Sequence, residues 1–189
     1  MFGIRGFKVP TILNGSSTSS GTKQPTAAAS TGGVSTIRIP AKTKPPWDRK
    51  RLIEKTKGLP IPNTESKLNT IHFELASKID FRDARIAASV LIRLIVERSV
   101  AFYAAQKGVI LRDNDSLHVR ISKVAKKMKE LKAITANQSN ILRKMGNGEE
   151  LLSANTLNSW IHDYSHIPTA REVAEFWDNI RFFLIECWK

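Results

Sequence analysis

The sequence predicts an all-α protein on three observations. Apolar residues recur at spacings of three and four along several stretches of its last two-thirds. Recognisable helix starts and stops bracket those stretches. No segment there alternates apolar and polar residues as a half-buried strand would.

The first 65 of the 189 residues read differently. Gly15 to Gly33 is almost entirely Ser, Thr, Gly, Ala and Gln, a composition that cannot offset its ordering entropy. Thr36 to Pro40 makes a strand only if given a partner, and Pro45-Pro46-Trp47 extends the linker in a proline-stiffened form. Asp48 to Lys57 allows one helical turn, stopped by Gly58, with Pro60 and Pro62 blocking its continuation. Residues 1–65 are therefore expected to be a flexible basic arm and linker, and residues 66–189 a helical domain, long enough to bury most of its surface.

Within the domain, Asp80 is placed to cap the first strong helix and Gly108 to end it. Between them Ala84, Ala87, Ala88, Leu91, Leu94, Ile95, Phe102 and Ala105 keep helical register, and Val90, Ile92, Val96 and Val100 make this the central, multiply buried element. A second helix begins near Ser116 or Leu117, with a stripe of Leu117, Ile121, Val124, Met128 and Leu131 and a lysine face. Gln138 to Met145 continues it and stops at Gly146-Asn147-Gly148. Ser153 to about Tyr164 is a short helix with Leu157, Trp160 and Ile161 on its apolar side. The last helix opens on a capping box, Thr169 with Glu172, and buries Val173, Phe176, Trp177, Ile180, Phe183, Leu184 and Cys187.

The net charge is +13, and residues 1–65 hold eleven Lys/Arg against three acids. A basic arm attracts phosphate backbones whatever their sequence, so Arg49, Lys50 and Arg51 are candidates for nucleic-acid contact. Lys123, Lys126 and Lys127 are candidates on the lysine face of the second helix. A single cysteine excludes a disulfide framework. No apolar run reaches the roughly 20 residues of a membrane span, and the basic N-terminus has no apolar core of a secretory signal. The expectation is a cytoplasmic protein without membrane contact.

The most informative stretch is Leu157-Asn158-Ser159-Trp160-Ile161-His162. Positions four apart share a helix face, so Asn158 and His162 converge either on a phosphate or on a helix interface. His162 and His166 have the same spacing, but with no further ligands nearby no metal site is expected. Arg93 and Glu97 read as an i, i+4 ion pair inside the central helix. The alternative is that Arg93 or Arg98 faces the cleft holding His162.

Leu91 to Tyr103, a basic middle helix, and Leu157 to Trp177 together resemble the HEPN superfamily of small four-helix domains. More narrowly, they are similar to HEPN-like domains at the C-terminal ends of bacterial proteins carrying a ParB-type nuclease-like domain. The resemblance covers roughly residues 70–189. It implies a four-helix bundle, here behind the disordered basic arm that composition predicts, working as a dimer and needing no cofactor. Active members are metal-independent ribonucleases, often toxins or antiviral effectors, whose motif sets an Arg and a polar residue a few positions before a His. His162 matches the histidine and Asn158 the polar position; Leu157 stands where the arginine is expected.

Metal-free RNA cleavage needs a base for the 2′-hydroxyl and positive charge for the phosphorane oxygens. His162 supplies the first and Leu157 cannot supply the second, a loss of about a hundred- to a thousand-fold in rate. Arg93, Arg98, Arg143 and Arg171 are the phosphate-binding residues that would have to compensate. The leading expectation is a HEPN-like interaction module, homodimeric, with degraded or absent catalysis, contacting RNA or DNA or a protein that handles them. The alternative is an active ribonuclease of a defence system using His162. A third reading is a DNA-binding accessory domain whose sequence specificity resides in another polypeptide.

Overall fold

Arg85–Lys107 form one helix of 23 residues around which the rest of the chain is arranged. The computed structural model describes residues 44–146, 154–163 and 165–189. The expectations for residues 1–43 and for Asn147-Gly148 lie outside the described residues.

The helices in chain order are α1, Ser66–Phe73; α2, Arg85–Lys107; α3, Leu117–Glu130; α4, Ala136–Gly146; α5, Ala154–His162; and α6, Ala170–Cys187. Among the described residues there is no strand, and no helix is long and apolar enough to cross a membrane. Helix α2 packs against α1, α3, α5 and α6, which buries Ala88, Ile92, Ile95, Val96 and Val100 completely. Gly108 ends it with a φ of 63°, a left-handed conformation that closes the helix through the bond from its N–H to the Ala104 carbonyl. Helix α4 packs on α3, with Leu142 and Met145 buried beside Ile121, Val124 and Met128.

The capping box of α6 forms as expected, and all seven residues of its apolar stripe are buried. Three other expectations are corrected. Asp80 does not cap α2. Arg82 folds back on its carboxylate at 3.0 and 2.8 Å and holds the Asp80 carboxyl down to about 2, so Asp80 closes the turn before the helix. Leu131, placed on the α3 stripe, lies past the helix end and is half exposed. Helix α1, with its widened π turn over Glu74–Lys78, was not anticipated; its apolar stripe is only Leu68, Ile71 and Leu75.

The largest correction concerns the boundary at residue 65. Leu52, Ile53, Leu59 and Ile61 are core residues. The strap that carries them, residues 48–61, is tied to the helices by side chains. Arg49 makes a two-pronged bond to Asp178 of α6 at 2.9 and 2.7 Å. Arg51 donates to the Lys78 carbonyl, Arg181 donates to the Lys57 carbonyl, and the Leu59 N–H donates to His72 Nε2. Two apolar pairs among prolines and lysines have no period, so composition conceals them.

Candidate functional site

Helix α5 positions the Asn158–His162 pair by burying its other side. Leu157 and Trp160 are both in the core, and Trp160 meets the Phe176 ring edge-on at 5.7 Å between centroids. This leaves Asn158 half-buried against α2 and α3, and His162 exposed. Leu157 faces the core, so an arginine at this position would enter apolar packing rather than the site.

Arg93 of α2 reaches across to α5. Its Nε donates to Glu97 Oε1 at 2.8 Å, and its Nη1 donates to Asn158 Oδ1. The expected ion pair and the expected approach to the cleft are thus the same arrangement: Arg93 is held by Glu97 and in turn orients Asn158. No arginine among the described residues bonds to His162. Asp163 closes the end of α5, accepting from the Ser165 N–H and hydroxyl at 2.9 and 2.7 Å, and these bonds lower its pKa. Because α5 stops at His162, His166 does not share a helix with it. Among the described residues no group of three or more His, Cys, Asp or Glu could hold a metal.

The remaining candidates lie apart from this pair. Arg98 is clasped by Glu65 at 3.0 and 2.8 Å, and that bond lowers the Glu65 carboxyl and raises Arg98. Arg171 pairs with Glu175 at 2.6 Å along α6, and Arg143 is exposed on α4. Arg49 and Arg51 are tied into the strap, whereas Lys50 is exposed. Lys123 bonds the Asp115 carboxylate, whose pKa it lowers; Lys126 is exposed and Lys127 half-buried.

Three hollows run along this side of the molecule. An open one of about 540 Å³ is lined by Asn158, His162 and Asp163. A second, about 370 Å³, lies between α2, α3 and α5 against Arg93, Glu97, Ser116, Arg120 and Asn158. The third, about 490 Å³, sits between α1 and α2 over Leu68, Ile71, Leu94 and Ala101. Asn158 is common to the first two, and Glu97 and Arg120 to the last two.

Arg120 is the residue that sequence reasoning missed. Its Nε donates to the Asp115 carbonyl at 2.8 Å, and its Nη2 reaches the carbonyls of Asp113 and Arg112 at 3.1 and 3.4 Å. The available signal was slight: Arg120 is the one arginine in an otherwise lysine-bearing helix, set in its first turn. Comparison of the chain with protein-family models, with curated proteins and with solved structures found no match.

Proposed function

We propose that this chain is a HEPN-like helical module that binds RNA or DNA through its α3–α4 face, self-associates, and does not itself cleave the strand. The observation that carries the binding is charge. From Leu117 to Gly146 there are eight Lys/Arg and one acid, Glu130. Lys126 and Lys129 of α3, Lys132 in the turn after it, and Arg143 and Lys144 of α4 are all exposed. Such a density of exposed cations along two packed helices releases counterions from a phosphate backbone on contact. The absence of cleavage is argued from the site: among the described residues no cation is bonded to His162, Arg93 is bonded to Glu97, and Leu157 is core. Self-association and the HEPN assignment rest on the sequence resemblance alone.

Anisotropy of labelled RNA and DNA tests the binding. The variant Lys126→Glu/Lys129→Glu/Lys132→Glu is expected to lose at least about tenfold in affinity, each tenfold being about 1.4 kcal/mol. Unchanged affinity in that folded variant would sink the proposal. Light scattering behind size exclusion gives the oligomeric state, and a monomer at all concentrations removes the self-association.

One observation favours the ribonuclease reading. His162 is exposed in an open hollow, beside an Asn158 that Arg93 holds in place. Labelled single-stranded RNA incubated in EDTA decides between the two. No cleavage is expected; cleavage by the intact chain that His162→Ala abolishes establishes the enzyme.

A further inference from the structure

We infer that the hollow between α1 and α2 takes a small amphipathic carboxylic acid. Its apolar body would lie over Leu68, Ile71, Leu94 and Ala101, and its carboxylate against Lys67 and Arg98. This goes beyond the backbone contact proposed for α3–α4, which stands or falls without it.

The floor of the hollow is apolar where the central helix has no need to be uncovered. Helix α2 buries Ile92, Ile95 and Val96 completely, yet its Leu94 is 38% exposed and lines this hollow. Leucine surface left in water forgoes about 25 cal/mol for each Å², and an apolar ligand body recovers it. Leu68 and Ile71 of α1, both core residues, face it from the other wall. Ala101 stands two turns beyond Leu94 on the same side of α2, and its small side chain keeps the space open. The volume, about 490 Å³, is in the ordinary range of small-ligand sites.

The rim selects the charge of the ligand. Glu65 spends both carboxylate oxygens on Arg98, and Glu97 gives Oε1 to Arg93. Glu97 and Arg120 also line the neighbouring hollow against α3, whereas Glu65, Lys67 and Arg98 line this one alone. At that end two donors are left over. Lys67 is exposed and has no bonded partner among the described residues, and no hydrogen bond there engages Arg98 Nη1. The Arg98 fork is already fixed on Glu65 through Nε and Nη2, so an arriving anion does not bear the cost of ordering that side chain. Two cations and one acid leave this end at +1, which a single carboxylate neutralises and a phosphate dianion exceeds.

The body of the acid can be aliphatic or aromatic, and the experiment separates them. Calorimetric titration of the full chain would use octanoate, 4-phenylbutanoate, 1-octanol, acetate and inorganic phosphate. Saturable binding of one or both acids, tighter than 1-octanol, acetate or phosphate, is expected. The tighter of the two acids assigns the body. Ala101→Phe puts a ring into the hollow and should weaken that acid at least about tenfold. Leu94→Gln, at a partly exposed position, should weaken it in the same direction without unfolding the chain. Lys67→Gln removes an exposed partner and should cost the acid about threefold to fivefold, leaving 1-octanol unchanged. The inference is overturned if the folded chain binds neither acid, if acetate, phosphate or 1-octanol binds as tightly, or if Ala101→Phe and Leu94→Gln both change nothing. The Lys126/Lys129/Lys132 variant keeps acid binding while losing long RNA, so failure of one proposal is distinguishable from failure of the other.

Discussion

His72 shows how one side chain couples proton binding to the fold. Its Nε2 accepts the Leu59 N–H at 3.0 Å, so the ring is neutral there and its proton sits on Nδ1. Its ring also lies 3.1 Å from where a Cβ on Gly58 would stand, which packs the strap against α1. Burial pushes the imidazole below its ordinary value of 6.5. A depressed folded pKa means that the unfolded chain takes up the proton first as pH falls. His72 therefore contributes its full stability above the unfolded value and loses it as pH drops through the folded one. Urea midpoints between pH 8 and pH 5 should fall for the natural chain. His72→Gln, whose amide oxygen can accept the same N–H, should flatten that fall; an unaltered slope would refute the role.

At the scale of elements, the strap is the instructive case. A chain starting at residue 66 would lose Leu52, Ile53, Leu59 and Ile61, all buried. At about 1.5–3 kcal/mol for each fully buried side chain, that loss rivals the entire 5–15 kcal/mol stability typical of a domain. Such a chain is expected to show no cooperative thermal transition by circular dichroism; a sharp melt near that of the full chain would contradict the packing. Helices α2, α3 and α6 were legible because each repeats a long apolar stripe, and α6 also announces its start with Thr169 and Glu172. The strap and α1 were not, since two or three apolar residues carry no period and only tertiary packing fixes them. The site divides the same way. Asn158 with His162, and Arg93 with Glu97, are local spacings that the sequence displays. The bond from Arg93 to Asn158, 65 residues on, exists only because α2 and α5 pack together. Arg120 depends likewise on the folded loop whose carbonyls it gathers.

For the molecule as a whole, charge is concentrated in two stretches, residues 1–65 with eleven Lys/Arg against three acids and the α3–α4 pair. The α3–α4 pair carries a formal +7, from eight Lys/Arg and Glu130, out of a chain total of +13. The cations of the early basic region and of α3 are not available in equal measure, because Arg49 and Lys123 are already matched to Asp178 and Asp115. Affinity for a phosphate backbone should thus follow the exposed α3–α4 cations. The slope of log affinity against log salt should become shallower by about 0.7–0.9 for each phosphate that is no longer neutralised. Replacing Lys126, Lys129 and Lys132 singly with Gln should reduce it in small, similar steps, whereas Arg171→Gln on α6 should leave it unaltered.

Trp160 gives this arrangement an optical consequence. Trp160, Trp177 and Trp188 are buried, whereas Trp47 is 37% exposed. Trp188 donates its indole N–H to Ser99, but no acceptor among the described residues meets that of Trp160. An indole without a hydrogen-bond partner in an apolar setting emits toward the blue, and this one stands two residues from Asn158 on the helix that walls the groove. The protein therefore carries its own fluorophore behind the Asn158 face, and ligand arriving there can be followed by its emission without any attached dye.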